Sequence, residues 1–91
     1  MRPLDRFAGA FCSIEDPAEM KRFFAEIFTP AELEDFVLRW RLLEMLEGGA
    51  AQRRIADRLG VSLCKITRGS KVLQKRNSVT RRLLRRQTGD T

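Results

Sequence analysis

The sequence has no histidine, and that absence rules out His-ligated zinc and Ser-His nucleophilic catalysis. It has only two cysteines, Cys12 and Cys64, far apart and without CxxC spacing, so neither a zinc site nor a disulfide framework is signalled. Cys12 is expected in the core and Cys64 as a small outward-facing residue. Two free thiols fit a reducing compartment. No apolar run approaches the ~18 residues a membrane span requires, and Asp5 and Arg6 fall where a secretion signal would need an apolar stretch. A soluble, cytoplasmic chain is therefore expected. Internal repeats and low-complexity segments are absent, and 91 residues suit one domain with no room for a separate effector domain.

What is abundant is positive charge, and it is unevenly placed. The net charge is +6, yet up to Gly49 there are six Lys/Arg against ten Asp/Glu, while from Ala50 onward there are twelve against two. A solvated surface intersperses both signs. Segregation of this size points to a polyanionic partner, although a basic patch alone does not separate DNA from RNA or acidic lipid.

The periodicity predicts an all-α chain of about six helices. Leu4, Phe7, Ala8 and Phe11 recur at helical spacing from about Leu4 to Cys12. Asp16, Pro17 and Glu19 mark a second helix start, with Asp16 as cap and Glu19 reaching back, and the helix is expected to reach about Phe28. Thr29, Pro30 and Glu32 repeat that signal as a capping box for the longest helix, Pro30 to about Glu47, ended by Gly48 and Gly49. On this helix Leu33, Phe36, Val37, Trp40, Leu43 and Leu46 make one apolar face, and Leu38, Leu42 and Met45 a second. A monomer this small would struggle to cover both, so the helix is expected to pack against a second subunit.

Gln52 to Ser70 then reads as two short helices broken once. Ile55, Ala56 and Leu59 form one stripe, Gly60 supplies the positive φ of a tight turn, Ser62 caps the next helix, and Val61, Ile66 and Gly69 resume the inward positions. This is a helix-turn-helix pattern. Leu63, Cys64, Lys65, Thr67, Arg68 and Lys71 are left outward, a mixture of methyl, hydroxyl and cation that suits a reader of base edges in a major groove. Lys65 and Thr67 are expected to read bases, with Arg53, Arg54 and Arg81 or Arg82 on phosphates. Asn77 and Ser78 break the chain before a last helix, about Val79 to Arg86, with Val79, Leu83 and Leu84 inward and its arginines largely exposed. Residues 87 to 91 read as a disordered tail.

QRRIADRLGVSLCKITRGS, preceded by the TPAE of Thr29 to Glu32 and the RWRLLEML of Arg39 to Leu46, resembles the tryptophan-operon repressor family of bacterial DNA-binding proteins. The resemblance spans roughly Phe28 to Leu73, and ITRGS is its most specific part. It implies an intertwined homodimer with about residues 1–49 forming most of the dimer core, 50–75 the helix-turn-helix and 78–86 the C-terminal helix. It also implies a DNA operator bound through Gln52, Arg53, Arg54, Ser62, Leu63, Cys64, Lys65, Thr67 and Lys71, and a nucleoid-associated location. For L-tryptophan as candidate corepressor it implies an indole held between Arg39 and Arg68, Gly69 beside the ring, and the other subunit's backbone near Thr29 facing the amino group. Some relatives carry a hydroxyl where Val72 stands here, and the better-known members have other small residues at Cys64 and Lys65.

Three readings remain beside this one: a protein of the same fold without a small-molecule corepressor, a basic adaptor for RNA or another protein, and a membrane-surface role for the basic last helix. A catalytic role is not expected. Glu32, Glu34, Asp35, Glu44 and Glu47 read as a solvated face, and Ser62, Thr67 and Ser70 have no base to activate them. The DNA-binding piece of a recombinase would normally accompany a catalytic domain, and none is expected in these 91 residues.

Overall fold

A computed structural model describes residues 2–89 of the chain. Among them are six helices and no strand: α1 Pro3–Ser13, α2 Pro17–Ile27, α3 Pro30–Glu47, α4 Gln52–Leu59, α5 Leu63–Gln74 and α6 Val79–Gly89. The chain divides into two compact units, Met1–Glu34 and Asp35–Thr91.

The first unit is held by aromatic rings rather than by a buried core. Phe11 meets Phe7 at 4.9 Å and Phe23 at 5.3 Å, both edge against face, and lies tilted 5.8 Å from Phe24. No residue of α1 or α2 is buried. Cys12 is exposed, contrary to the core position expected of it, because it is turned about 100° off Phe11 and away from the ring cluster. Asp16 caps α2 by accepting from the Ala18 N–H at 3.4 Å, and Glu19 adds no reciprocal bond. At α3 the capping box is complete: the Thr29 N–H donates to Glu32 Oε1 at 2.8 Å and the Glu32 N–H to Thr29 Oγ1 at 3.2 Å.

The second unit is built on α3, whose adjacent Leu42 and Leu43 are buried toward two different clusters. Leu42 packs with Ile55 of α4 and Ile66 of α5, while the next residue, Leu43, packs with Leu73 of α5 and Leu84 of α6. Leu46 lies against both clusters. The end of α3 is a Schellman close: Gly49 takes φ +88°, its N–H donates to the Leu46 carbonyl and the Ala50 N–H to the Met45 carbonyl.

On α6 only Leu84 of the three expected aliphatics is buried, at 3% exposure; Val79 and Leu83 stay open at 62% and 42%. Leu83 is one residue, about 100° of helix, off the side that meets Leu43 and Leu73, and Val79 opens the helix before that contact begins. The helix also continues to Gly89, through three residues of the expected tail, since nothing in Gln87-Thr88 stops it. Asp90 and Thr91, the rest of that tail, lie outside the described residues.

Candidate nucleic-acid interface and ligand cavity

Helix α4 ends where Gly60 adopts φ +67°, the left-handed turn that lets α5 cross it. Ile55 and Ile66 are fully buried against each other and Leu42, which fixes the angle of that crossing from the apolar side. Ser62 opens α5 as its cap, its Oγ accepting from the Lys65 N–H at 3.3 Å. With Ile66, Gly69 and Leu73 turned inward, the rest of the helix is presented to solvent: Leu63, Cys64, Lys65, Thr67, Arg68 and Lys71 are all exposed. Gln52, Arg53 and Arg54, in the first turn of α4, are exposed as well.

These cations are free of carboxylates. Among the described residues neither Arg53, Arg54, Lys65, Arg68 nor Lys71 forms an ion pair, so their charge remains available to an external anion. Thr67 is partly committed: its hydroxyl donates to the Leu63 carbonyl at 3.0 Å, leaving an acceptor oxygen and a methyl group on the surface. The arginines of α6 differ from one another. Arg81 and Arg85 both pair with Glu47 of α3, at 3.2 and 3.0 Å, although both remain substantially exposed. Glu47 is thus not the freely solvated acid its sequence neighbourhood indicated.

On its other edge α5 borders a cavity of about 300 Å³. Its charged lining is Asp35 and Arg39 from α3 with Lys65 and Arg68 from α5; Leu38, Leu42, Leu43, Val61 and Val72 supply its apolar wall. Gly69 sits where the helices are closest. A Cβ there would come within 2.8 Å of Leu42 Cδ2 and 3.3 Å of Leu43 Cδ2 and Leu46 Cδ1, so the missing side chain is what permits the approach. The structure therefore gathers Arg39, Arg68 and Gly69 at one cavity, and adds Lys65 and Asp35, which sequence reasoning had not placed there. The Arg39 guanidinium carbon lies 5.9 Å from the Phe36 ring centroid. Thr29 belongs to the first unit, as the cap of α3. One signal for Asp35 was present in the sequence: it stands four residues before Arg39, on the same helical face.

An all-helical set of described residues carrying an open, cationic helix-turn-helix, with a small cavity behind its second helix, defines a helix-turn-helix protein. The family model of the Trp repressor protein matches residues 2–88. Curated relatives named Trp operon repressor homolog include one from Xylella fastidiosa, 40% identical over 67 residues, which is 72% of this chain and 73% of the relative. Another, from Chlamydia trachomatis, is 33% identical over 70 residues, covering 71% of this chain and 74% of the relative. A third, from Vibrio cholerae, is 42% identical over 52 residues, 56% of this chain and 50% of the relative. No solved structure gives a significant match. The chain belongs to the Trp repressor family. By that membership it is a regulatory protein of the transcriptional-repressor class, not an enzyme. No helix among the described residues is long and apolar enough to cross a membrane.

Proposed function

We propose that this protein is a homodimeric, sequence-specific DNA-binding repressor whose grip on its operator is controlled by L-tryptophan or a closely related small molecule. The observation that carries the reading is the double exposure of α5. One edge offers Leu63, Cys64, Thr67 and Lys71 with no carboxylate partner, while Arg68 and Gly69 border the cavity shared with Arg39. A ligand in that cavity touches the helix that reads DNA, which is the arrangement that linkage between two sites requires.

In this reading the planar guanidinium groups of Arg39 and Arg68 stack on the faces of an indole, and Arg68 also meets the ligand's carboxylate. Gly69 lies beside the ring, and the second subunit brings its Thr29 backbone to the amino group. The dimer itself is supported by apolar side chains left open on a single chain, among them Leu4, Phe7, Ile27, Phe36 and Val37. Lys65 and Thr67 read base edges, helped by Ser62, Leu63, Cys64 and Lys71, and Gln52, Arg53 and Arg54 meet the backbone. The Thr67 hydroxyl, having donated to Leu63, accepts from a base amino group. Work on the nucleoid in the cytoplasm follows from this role.

The rival within the family is a DNA-binding protein without a corepressor, and Val72 favours it. That residue lines the cavity with an apolar surface at the position where some relatives carry a hydroxyl.

Selection from random duplex DNA, followed by titration of the recovered site with and without millimolar L-tryptophan, tests both parts. Helix-turn-helix dimers, Trp repressors among them, bind half-sites about one helical turn apart, ~34 to 36 Å, so a pseudo-palindrome is expected. L-tryptophan and operator are expected to tighten each other's binding by one common factor. Asymmetric sites, or none, would remove the dimeric reader; a recovered palindrome indifferent to L-tryptophan would remove the corepressor and leave the repressor.

A further inference from the structure

We infer that Asp35 recognises the ammonium group of a zwitterionic ligand in the cavity between α3 and α5. The inference rests on the corepressor reading above and adds the residue that selects for an amine.

Three cations and one carboxylate line this cavity. Its cations alone would serve any apolar acid, and an anionic side chain among them would only weaken the binding of such a ligand. The carboxylate is also not consumed by its neighbours. Asp35 precedes Arg39 by one helical turn, the spacing at which acid and base commonly pair, yet no ion pair forms between them. Arg39 is directed instead toward the Phe36 ring. Neither Lys65 nor Arg68 pairs with Asp35, and among the described residues its carboxylate accepts no hydrogen bond. Opposite charges therefore share one cavity of about 300 Å³ without neutralising each other, and Asp35 stays exposed and accessible.

The ligand that complements this arrangement carries a cation and an anion close together and an apolar body. Its carboxylate meets Arg68 on α5, its ammonium meets Asp35 on α3, and the body lies against Leu38, Leu42 and Val72. With Val72 offering no hydrogen bond, Asp35 is the lining residue whose side chain can accept from an ammonium, beside the backbone that the second subunit brings. An α-amino acid with a large side chain has this form; the same acid without its amine does not.

Calorimetry on the full-length protein with L-tryptophan and with indole-3-propionate, which keeps the indole and carboxylate but lacks the amine, is the test. The unaltered protein is expected to prefer L-tryptophan. Asp35→Asn should weaken L-tryptophan about tenfold or more, the scale of a lost charge-assisted hydrogen bond, while indole-3-propionate binds as well as before or better. Asp35→Glu keeps the charge and should keep the preference. Unchanged preference in Asp35→Asn, or equal binding of both compounds by the unaltered protein, would overturn the role of Asp35 while the corepressor reading stands. Binding of neither compound by the unaltered protein would overturn both.

Discussion

Gly69→Ala is the substitution whose outcome the packing dictates most directly. The new methyl would stand 2.8 Å from Leu42 Cδ2, well inside the ~3.5–4.0 Å of a normal carbon contact, with Leu43 and Leu46 next nearest at 3.3 Å. Leu42 is itself only 4% exposed and wedged against Ile55 and Ile66, so it has little space to retreat into. Overpacking of this kind costs about 1–3 kcal/mol. Against it stands the ~1 kcal/mol that alanine gains over glycine inside a helix. The net expectation is a loss of roughly 0–2 kcal/mol, obtained by combining those two ranges. Gly9 supplies the control, because a Cβ added there meets nothing within 4 Å and Gly9→Ala should show the helix gain alone. Urea denaturation of both variants at one protein concentration should therefore separate them by about 1–3 kcal/mol. If Gly69→Ala proved as stabilising as Gly9→Ala, the close approach of α5 to α3 would be wrong. Because Leu42 also walls the cavity, the same variant should bind L-tryptophan more weakly.

Three further outcomes are expected. Glu47→Gln should cost under about 1 kcal/mol of stability, since its arginine partners are largely exposed, yet it should steepen the salt dependence of duplex binding by up to about 2 if Arg81 and Arg85 then reach phosphates; an unchanged slope would place α6 away from DNA. Ser62→Ala removes the α5 cap and should lower stability by about 1 kcal/mol in the same denaturation assay. Lys65→Ala should change the sequence preferred in a binding selection, by about 1–3 kcal/mol of discrimination, whereas Arg54→Ala should weaken all sequences alike and lower the salt slope by about 1; the opposite pattern would reverse their roles.

The features that sequence reasoning recovered are those decided within a few residues. The Thr29–Glu32 box, the Gly60 turn, the Ser62 cap and the inward Ile55, Ile66 and Gly69 each depend on local spacing, and each stands where the pattern put it. What it missed depends on distant partners. Val79 and Leu83 carry the right chemistry for a core, but only Leu84 meets Leu43 and Leu73. The pairing of Glu47 with Arg81 and Arg85 links positions more than thirty residues apart, beyond any periodicity. Family resemblance points to Arg39 and Arg68, whereas the place of Asp35 and Lys65 at the same cavity depends on how α3 and α5 pack, with the four-residue spacing of Asp35 and Arg39 the one local signal.

The way the helices of the second unit are fastened has a mechanical consequence. Helix α6 is tied to α3 by the directional pairing at Glu47 as well as by Leu84, while α5 meets α3 through aliphatic side chains and the bare backbone at Gly69. The other side-chain hydrogen bonds described above span four residues or fewer. Apolar contacts have no preferred direction, and the close fit of the side chains is what holds them in register. The second helix of the helix-turn-helix accordingly rests on α3 through the close packing of Leu42, Leu43 and Leu46 on Gly69, while α6 is latched. Under the proposed function, a ligand in the cavity that Gly69 borders bears directly on that contact.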